Sequence, residues 1–247
     1  MPDDRENHFR PAKDDADLDA LLRELSSRTR AGAGRGFKFA AWRATVGLSY
    51  ALKRAMDIVG SGLGMVLLSP VFLAIAIAVK RSSPGPVFFS QVRVGCNGRH
   101  FKFHKFRSMR QDAEALKESL AAQNESKDGV IFKMKDDPRI TKVGRILRRT
   151  SLDELPQLWN VFIGDMSLVG PRPPVPKEVQ EYTLEDRKRL NVVPGITCLW
   201  QIGGRSDIPF REQVRLDKEY ILAQSFWKDL AILLKTIPAI IGGKGAY

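Results

Sequence analysis

Two adjacent acidic residues, Asp153 and Glu154, closely follow a stretch of evenly spaced basic residues. Basic side chains recur there at every third position and so line one side of a helix: Arg139, Lys142, Arg145 and Arg148. Such a row of cations can bind phosphate groups, and neighbouring carboxylates can hold a hard cation together with those phosphates. Two other interpretations stay open, because the row also fits a solvated or lipid-headgroup face, and Ser151 with Glu154 fits a helix capping box.

The 247-residue chain carries a strong excess of positive charge, with 40 Lys and Arg against 28 Asp and Glu and a formal net charge of +12. The first thirty residues hold eight acids and six bases, a net −2, so residues 31–247 carry +14. The basic character therefore belongs to the main part of the chain and indicates a polyanionic partner. Phosphate-rich substrates, anionic lipid and nucleic acid are the classes that fit.

Cysteine and histidine usage argues against a transition-metal centre. Cys96 and Cys198 are far apart in a chain without a Cys-x-x-Cys pair, and the three histidines do not stand at ligand spacing from them. Any metal is therefore expected to be a hard cation held by carboxylates and phosphates, and the thiols suit a reducing compartment. Met1–Glu24 is rich in charge and lacks the layout of a secretory signal, so we expect no export.

An uncharged apolar run of 22 residues extends from Ile58 to Val79, with Lys53-Arg54 before it and Lys80-Arg81 after it. As a straight helix it would be about 33 Å long, which matches the hydrocarbon thickness of a bilayer. Pro70, preceded by Ser69, interrupts the run, because proline removes a helical hydrogen bond and bends the helix. The basic pairs at both ends lack the asymmetry that is typical of a single spanning helix.

This pattern favours a helix-break-helix hairpin that enters one leaflet and returns. A kinked spanning helix and a buried helix of a soluble protein are the two alternatives. We accordingly predict a flexible extension at 1–36, a membrane-associated segment at 37–82 with the re-entrant helix at about 58–79, and a further folded domain at 83–247.

After the helix-breaking stretch Ser82–Pro86, the sequence changes to mixed strand and helix patterns. Val87–Val94 and Arg99–Phe106 alternate as strands do, and Asn97-Gly98 between them predicts a hairpin turn. Helices are predicted at 110–124, Ile140–Arg149, Leu155–Ile163, Glu178–Leu190 and Phe226–Ile241, the last of them interfacial, with a polar loop at 125–137. The predicted fold class is α+β, mainly helical: a monotopic membrane protein with a re-entrant hairpin, a small β-hairpin and interfacial amphipathic helices.

Two long segments carry a specific pattern, Ser151-Leu152-Asp153-Glu154-Leu155-Pro156-Gln157-Leu158-Trp159-Asn160-Val161 and Gly164-Asp165-Met166-Ser167-Leu168-Val169-Gly170-Pro171-Arg172-Pro173. Further matching pieces are Ser69-Pro70, Lys105-Phe106-Arg107-Ser108-Met109, Pro194-Gly195-Ile196-Thr197 and Gly203-Gly204-Arg205. Together they strongly resemble the bacterial sugar transferase family of monotopic phosphoglycosyl transferases. The resemblance covers about residues 48–247.

The resemblance implies a re-entrant helix broken at Ser69-Pro70, a mostly helical catalytic domain on the cytoplasmic face of the bacterial inner membrane, and magnesium-dependent ping-pong chemistry. Asp153 would be the nucleophile that attacks the sugar-bearing phosphate of a nucleotide sugar and releases the nucleoside monophosphate. Polyprenol phosphate, such as undecaprenyl phosphate, would then accept the sugar phosphate from the aspartyl adduct. Glu154 would hold Mg²⁺ near the diphosphate.

Five basic residues are candidate ligands of phosphate or nucleotide. Arg148 in the basic row and Arg172 in the Pro-Arg-Pro turn are the strongest, because guanidinium forks match phosphate oxygens. Lys105 and Arg107 share a strand face by alternation, and they also fit ordinary exposed charges. Arg205 fits a nucleotide contact or a turn-stabilising role equally well.

Four further residues bear on the interpretation. Cys198 departs from the family pattern, which commonly has Gly after the Pro-Gly-Ile-Thr stretch, and this leaves the donor-sugar detail open. His100 and His104 share a strand face and fit headgroup contact or solvation better than acid–base catalysis. Trp159 fits the core or a membrane contact better than a sugar-stacking platform.

The expected partners are a nucleotide sugar, polyprenol phosphate and membrane lipid, and nucleic acid is not expected. UDP-glucose, UDP-galactose and their N-acetylated forms all fit as donors, and the resemblance implies the start of exopolysaccharide, capsule or O-antigen synthesis. A homo-oligomer and downstream glycosyltransferases are compatible. The rival interpretations are an inactive membrane adapter and a basic protein that binds nucleic acid or anionic membrane, although no DNA- or RNA-binding signature accompanies the charge.

Overall fold

The computed structural model describes residues 33–113, 115, 116, 120, 134, 136–242 and 245, with the backbone alone described at 33–46, 206 and 241. The chain forms two compact units, Met1–Tyr50 and Ala51–Tyr247. The described part of the first unit is the beginning of a long helix. The second unit contains the remaining helices and strands described here and every candidate site residue. The predictions for the extension at 1–36, the helix at 110–124 and the loop at 125–137 fall largely outside the described residues.

Two helices, α1 (Ala33–Leu67) and α2 (Ser69–Ser82), meet at a bend of 62°. Pro70 lies in the first turn of α2 and has no N–H to donate to the carbonyl of Val66, four residues before it. The hydroxyl of Ser69 donates to that carbonyl instead, at 2.8 Å. The break predicted at Ser69-Pro70 is therefore confirmed, and its hydrogen bonding explains why the chain can bend there.

The bent pair leaves many apolar side chains exposed, among them Val59, Leu63, Val66, Leu67, Leu73 and Ile77. Within the described residues, no helix taken alone combines the length and hydropathy of a membrane span. The segments Gly47–Leu67 and Ser69–Ser82 meet both criteria as a pair.

Three polar residues of α1 attach it to the rest of the second unit. Asp57, which is buried, accepts through Oδ1 from the hydroxyl of Ser167 at 3.0 Å and from the backbone N–H of Leu168 at 2.8 Å. Arg54 donates to the carbonyls of Val161 and Phe162, and Lys53 forms an ion pair with Asp229 at 2.6 Å. These bonds join the helix to segments more than 100 residues away in the sequence.

An antiparallel hairpin follows, with β1 at Phe88–Val94 and β2 at His100–Phe106. Asn97 and Gly98 both have positive φ, 54° and 78°, which is what a type I′ turn requires. The predicted strands and their turn are confirmed to within one residue. In this register, residues directly opposite each other point to the same face, so one face carries Phe89, Gln91, Arg93, Phe101, Phe103 and Lys105.

The central region is built from short elements. These are α3 (Lys142–Arg149), a 3₁₀ turn (Leu152–Glu154), α4 (Gln157–Ile163), β3 (Ser167–Val169), α5 (Pro176–Gln180), α6 (Leu184–Arg187) and β4 (Gly195–Thr197). β3 and β4 pair in parallel, a pairing that the sequence patterns did not reveal because each strand has only three residues.

The helix predicted over Glu178–Leu190 is wrong as a single element. The predicted element divides into α5 and α6, and Thr183 is the N-cap of the second helix. The hydroxyl of Thr183 accepts from the N–H of Asp186, while the Asp186 carboxylate accepts from the N–H of Thr183. This capping box is a stronger local signal than the continuous helical periodicity.

Three helices complete the fold, α7 (Leu199–Gly203), α8 (Phe210–Leu222) and α9 (Phe226–Gly242), the last close to its predicted bounds. A buried ion pair joins Asp217 of α8 to Arg189, whose guanidinium also donates to the Tyr182 hydroxyl at 3.0 Å. Apolar clusters fill the spaces between elements, for example Phe101 and Phe103 of β2 against Val161 and Met166. The confirmed architecture is mainly helical with a small sheet.

Candidate active site

The acidic pair lies in the 3₁₀ turn Leu152–Glu154, directly after a left-handed residue, Ser151, with φ of 55°. Ser151 makes no side-chain capping bond at this turn, so the structure contradicts the capping-box interpretation of Ser151 and Glu154. The turn packs beside β2 and the C-terminal end of α3. Both carboxylates are therefore held by a tight backbone turn and are free of a capping role.

Asp153 is buried, with 6% of its surface exposed. Burial raises the pKa of its carboxyl group, and the negative charge of Glu154 raises it further. The positive charges of Lys105, Arg148 and Arg172 act in the opposite direction and favour the carboxylate. Three of the five predicted phosphate ligands are thus brought to the proposed nucleophile.

Glu154 accepts a hydrogen bond from the Arg172 guanidinium at 2.7 Å. Burial opposes ionisation of Glu154, but the charge and hydrogen bond of Arg172, together with Lys105 and Arg93, outweigh it and hold its pKa below the usual value. The two adjacent acids therefore have opposite pKa shifts, which is common where two carboxylates have different tasks. Glu154 is the permanent anion of the pair.

Arg172 is positioned by a proline-rich loop that is fixed at both sides. The backbone N–H of Val94, at the end of β1, donates to the carbonyl of Pro174 at 2.9 Å. On the other side, Gly170 and Gly195 approach so closely that a Cβ on Gly195 would lie 2.0 Å from the nitrogen of Gly170. Glycine is required there because the two backbones leave no room for a side chain.

Phe103 provides an aromatic surface beside this loop. The guanidinium carbon of Arg172 lies 6.0 Å from the centre of its ring, and that of Arg93 lies 5.2 Å away. Arg93 also donates to the carbonyl of Pro173 at 3.0 Å. Arg93 was not among the residues predicted from the sequence, although strand alternation and the Asn97-Gly98 turn place it on the same hairpin face as Lys105.

Lys105 comes close to the dyad from β2. Burial lowers its pKa to about 8, while the Asp153 carboxylate acts to raise it. Its ammonium group lies 5.3 Å from the centre of the Phe89 ring, on the same face of the hairpin. The alternative interpretation of Lys105 as an ordinary exposed charge is therefore wrong.

The basic residues that are evenly spaced in the sequence have different surroundings in the folded structure. Arg139 lies before α3, is buried, and forms a two-pronged pair with Asp137, with its closest contact at 2.7 Å. Lys142, Arg145 and Arg149 of α3 are exposed, and Arg148 is half-buried and interacts with Asp153. Arg148 is therefore the member of the row whose charge favours the Asp153 carboxylate, and Lys142, Arg145 and Arg149 form an external basic face.

Arg107 and Arg205 lie apart from these contacts. The Arg107 guanidinium is buried and donates to the carbonyls of Ser83 and Pro84, where it holds the chain that follows α2. Arg205 has a φ of 54° and begins the 3₁₀ turn Arg205–Asp207. No bond recorded for the described residues joins either of them to the dyad, and their substrate contacts stay predictions.

The bonds found for His104, Trp159 and Cys198 among the described residues do not join them to either carboxylate of the dyad. His104 shares a hydrogen bond with Ser90 at 2.9 Å, on the hairpin face opposite Lys105. Trp159 is half exposed and stacks on Phe162 at 6.0 Å. Cys198 is fully buried at the start of α7 and contacts Gln201, so its departure from the family pattern changes an internal contact.

The described residues contain no group of three or more potential metal-binding His, Cys, Asp or Glu side chains. This donor set still fits Mg²⁺, which is commonly held by one or two carboxylates together with substrate phosphates and water. The Arg172 guanidinium donates to one oxygen of Glu154, and the second oxygen of Glu154 would be the carboxylate donor to the metal. Mg²⁺ bound there would offset the repulsion between carboxylate and diphosphate.

Comparison with known proteins agrees with the site. The bacterial sugar transferase family model matches residues 48–243, and the chain belongs to this family. It is 48% identical over 195 residues to the galactosyl transferase CpsE of Streptococcus agalactiae, covering 78% of this chain and 43% of the relative. It is 46% identical over 202 residues to the undecaprenyl-phosphate galactose phosphotransferase of Salmonella typhimurium, covering 79% and 42%.

A shorter relative matches over most of its length. The exopolysaccharide production protein ExoY of Rhizobium meliloti is 41% identical over 198 residues, covering 79% of this chain and 88% of the relative. By contrast, the chain spans less than half the length of the two longer relatives. The shared part contains Asp153, Glu154 and the basic residues around them.

Proposed function

We propose that the protein transfers a sugar 1-phosphate from a UDP-sugar to undecaprenyl phosphate and releases UMP. The observation that carries this proposal is the buried Asp153 carboxylate beside Glu154, surrounded by the cations of Lys105, Arg148 and Arg172. A carboxylate in such surroundings suits attack on an anionic phosphate, because the cations offset the charge repulsion. The names of the relatives support the lipid acceptor and the galactose-type donor.

The first step joins a carboxylate oxygen of Asp153 to the phosphorus that carries the sugar. The bond from that phosphorus to the bridging oxygen breaks, and the oxygen and its electron pair leave with UMP. In the second step, an oxygen of undecaprenyl phosphate attacks the same phosphorus and Asp153 leaves as carboxylate. The products are UMP and an undecaprenyl diphosphate sugar, and the two steps need no oxidant or reductant.

The cationic residues have separate tasks in this scheme. The Arg172 guanidinium donates to Glu154 at 2.7 Å and favours its ionised form. Glu154 and the diphosphate would together bind Mg²⁺. The positive charges of Lys105 and Arg148 act on Asp153 and favour its ionised form before the attack. Because Asp153 has a raised pKa, these cations are needed to keep it nucleophilic near neutral pH.

For the membrane placement, we propose that α1 and α2 form a re-entrant hairpin at the cytoplasmic face of the bacterial inner membrane. The 62° bend and the exposed apolar side chains of the pair support this placement. Helix α9 would lie at the interface, since Trp227 and Leu234 are exposed on it. The site would then face a lipid acceptor whose phosphate lies at the membrane surface.

Two further proposals concern partners. The lipid-linked product requires a glycosyltransferase that extends it, so a downstream glycosyltransferase is the expected functional partner. A homo-oligomer is compatible with the exposed apolar surface of the bent pair.

The test is UMP release by the purified full chain in nanodiscs, with Mg²⁺, a panel of UDP-sugars, and undecaprenyl phosphate present or absent. One donor is expected to give lipid-dependent UMP release, which Asp153→Asn abolishes and Asp165→Asn retains. Asp165 is the matched control, because its carboxylate pairs with the exposed Arg99 at 3.8 Å and not with a residue of the candidate site. An Asp153→Asn variant with full activity would refute the assignment of the nucleophile.

A further inference from the structure

The hairpin strand β1 brings a second arginine, Arg93, to the loop that carries Arg172. We propose that Arg93 and Arg172 together bind the diphosphate of the nucleotide substrate. This inference rests on the proposed function, which supplies the diphosphate, and it names a ligand-binding residue that the sequence motifs do not indicate.

The first argument is geometric. The guanidinium carbons of Arg93 and Arg172 lie 5.2 and 6.0 Å from the centre of one ring, that of Phe103. Arg93 donates through one nitrogen to the carbonyl of Pro173, the residue next to Arg172. Arg93 thus holds the loop that carries Arg172. Both guanidinium groups lie near the face of the hairpin that also carries Lys105.

The second argument concerns unused hydrogen-bond donors. A guanidinium has five N–H donors in a planar fork. In Arg93 the recorded bond to Pro173 uses one nitrogen, and its Nε is buried with no acceptor among the described residues. A buried donor without a partner costs free energy, and a phosphate oxygen is the acceptor that a guanidinium fork binds best.

The third argument concerns charge. Arg93 interacts electrostatically with Arg172, which repels it, and with Glu154 and Glu178, which attract it. Around the dyad, four cations (Arg93, Lys105, Arg148 and Arg172) act on three carboxylates (Asp153, Glu154 and Glu178). The site therefore has an excess of positive charge, and a bound diphosphate would relieve the repulsion between the two arginines.

The experiment measures the binding of UDP and UMP to the full chain in nanodiscs, using Arg93→Gln and Arg93→Lys. Arg99→Gln is the matched control, because Arg99 lies on the same hairpin with 80% of its side chain exposed. We expect Arg93→Gln to weaken UDP binding by roughly tenfold to a hundredfold, as is typical for the loss of a charge-assisted hydrogen bond. UMP binding should weaken less, and Arg93→Lys should recover part of the loss because it keeps the charge without the fork.

Three outcomes would overturn the inference. UDP binding could be unchanged in Arg93→Gln, or UDP and UMP binding could weaken equally. Finally, Arg93→Gln and Arg93→Lys could each lower the melting temperature of the protein together with its UDP binding. Arg93 would then be a purely structural residue. Failure of the proposed function would look different: no UDP-sugar would release UMP from the wild-type chain, although UDP binding would still depend on Arg93.

Discussion

Asp153 and Glu154 are neighbours in the sequence, but their surroundings shift their pKa values in opposite directions. Asp153 is buried against the charge of Glu154, which raises its pKa, whereas Arg172 holds the pKa of Glu154 below its usual value. Lys105 is the cation whose own protonation can change near neutral pH, because burial lowers its pKa to about 8. The proposed activity should therefore depend on the charge of this lysine.

We predict that Lys105→Arg shifts the alkaline limit of activity to higher pH. Lys105 is charged below its pKa of about 8 and loses its charge as the pH rises through that value, so wild-type UMP release should fall there. Arginine stays charged across this range, and Lys105→Arg should keep its activity at pH 9 relative to its own maximum. Initial rates of UMP release from pH 6 to 10 measure both profiles.

Lys102→Arg serves as the control, because Lys102 lies on the same strand with an exposed side chain. It should reproduce the wild-type profile. An alkaline limit that stays at the same pH in Lys105→Arg would contradict the assignment of that limit to Lys105.

At the scale of elements, the bend between α1 and α2 depends on one missing hydrogen bond and one replacement. Pro70 cannot donate to the carbonyl of Val66, and the Ser69 hydroxyl does so at 2.8 Å. The result is a 62° turn in a segment that is apolar enough for a membrane. A straight helix of the same composition would be long enough to cross a bilayer.

We therefore predict that Pro70→Ala converts the proposed hairpin into a spanning helix, since alanine restores the N–H that can bond to Val66. A cysteine introduced by Tyr50→Cys reports the side of the membrane on which this part of α1 lies. The background is Cys96→Ser, in which the remaining cysteine, Cys198, is fully buried. Without the proline change, a membrane-impermeant thiol reagent should label this cysteine only after the inner membrane is opened. With Pro70→Ala it should be labelled from the periplasmic side in those molecules in which the bonds of Lys53, Arg54 and Asp57 to the rest of the second unit have broken.

Pro238→Ala is the matched control, because Pro238 lies within α9. It should leave the labelling pattern unchanged. Periplasmic labelling of the protein with Pro70 intact would show that the kinked spanning helix was the correct alternative.

At the scale of the whole molecule, a small buried polar cluster joins distant parts of the second unit. The Lys53 ammonium donates to Asp229 of α9 at 2.6 Å and to the carbonyl of Val169 at 2.9 Å. The Tyr220 hydroxyl of α8 lies 2.7 Å from the other oxygen of Asp229. Asp229 is fully buried, and these partners supply the hydrogen bonds that a buried polar group needs.

We predict that Lys53→Met destabilises the fold by about 3–5 kcal/mol, the typical cost of leaving a buried charge without its partner. The additional change Asp229→Asn should recover part of this loss, because it removes the uncompensated carboxylate. Lys102→Met, at an exposed position, should have little effect. Denaturant unfolding of the detergent-held protein measures all three, and equal stabilities of Lys53→Met and the wild type would contradict the prediction.

Much of the local structure could be predicted from the sequence, because the signals were local. Asn97-Gly98 gave the hairpin turn, and Ser69-Pro70 gave the bend, since each depends on the backbone preferences of two neighbouring residues. The helix at Glu178–Leu190 was predicted without its interruption, because the capping box at Thr183 was not weighed against periodicity. The strands β3 and β4 are too short to produce an alternating pattern.

The sequence by itself determined the acidic dyad, the bend in the apolar segment and the family of the chain. Only the tertiary structure decided which cations meet the dyad. It brought Lys105, Arg148 and Arg172 together, added Arg93, and placed Arg139 and Arg107 in internal bonds elsewhere. The physical reason is that sequence spacing fixes the face of a helix or strand on which a charge lies. The partner of that charge depends on long-range packing, which joins residues far apart along the chain.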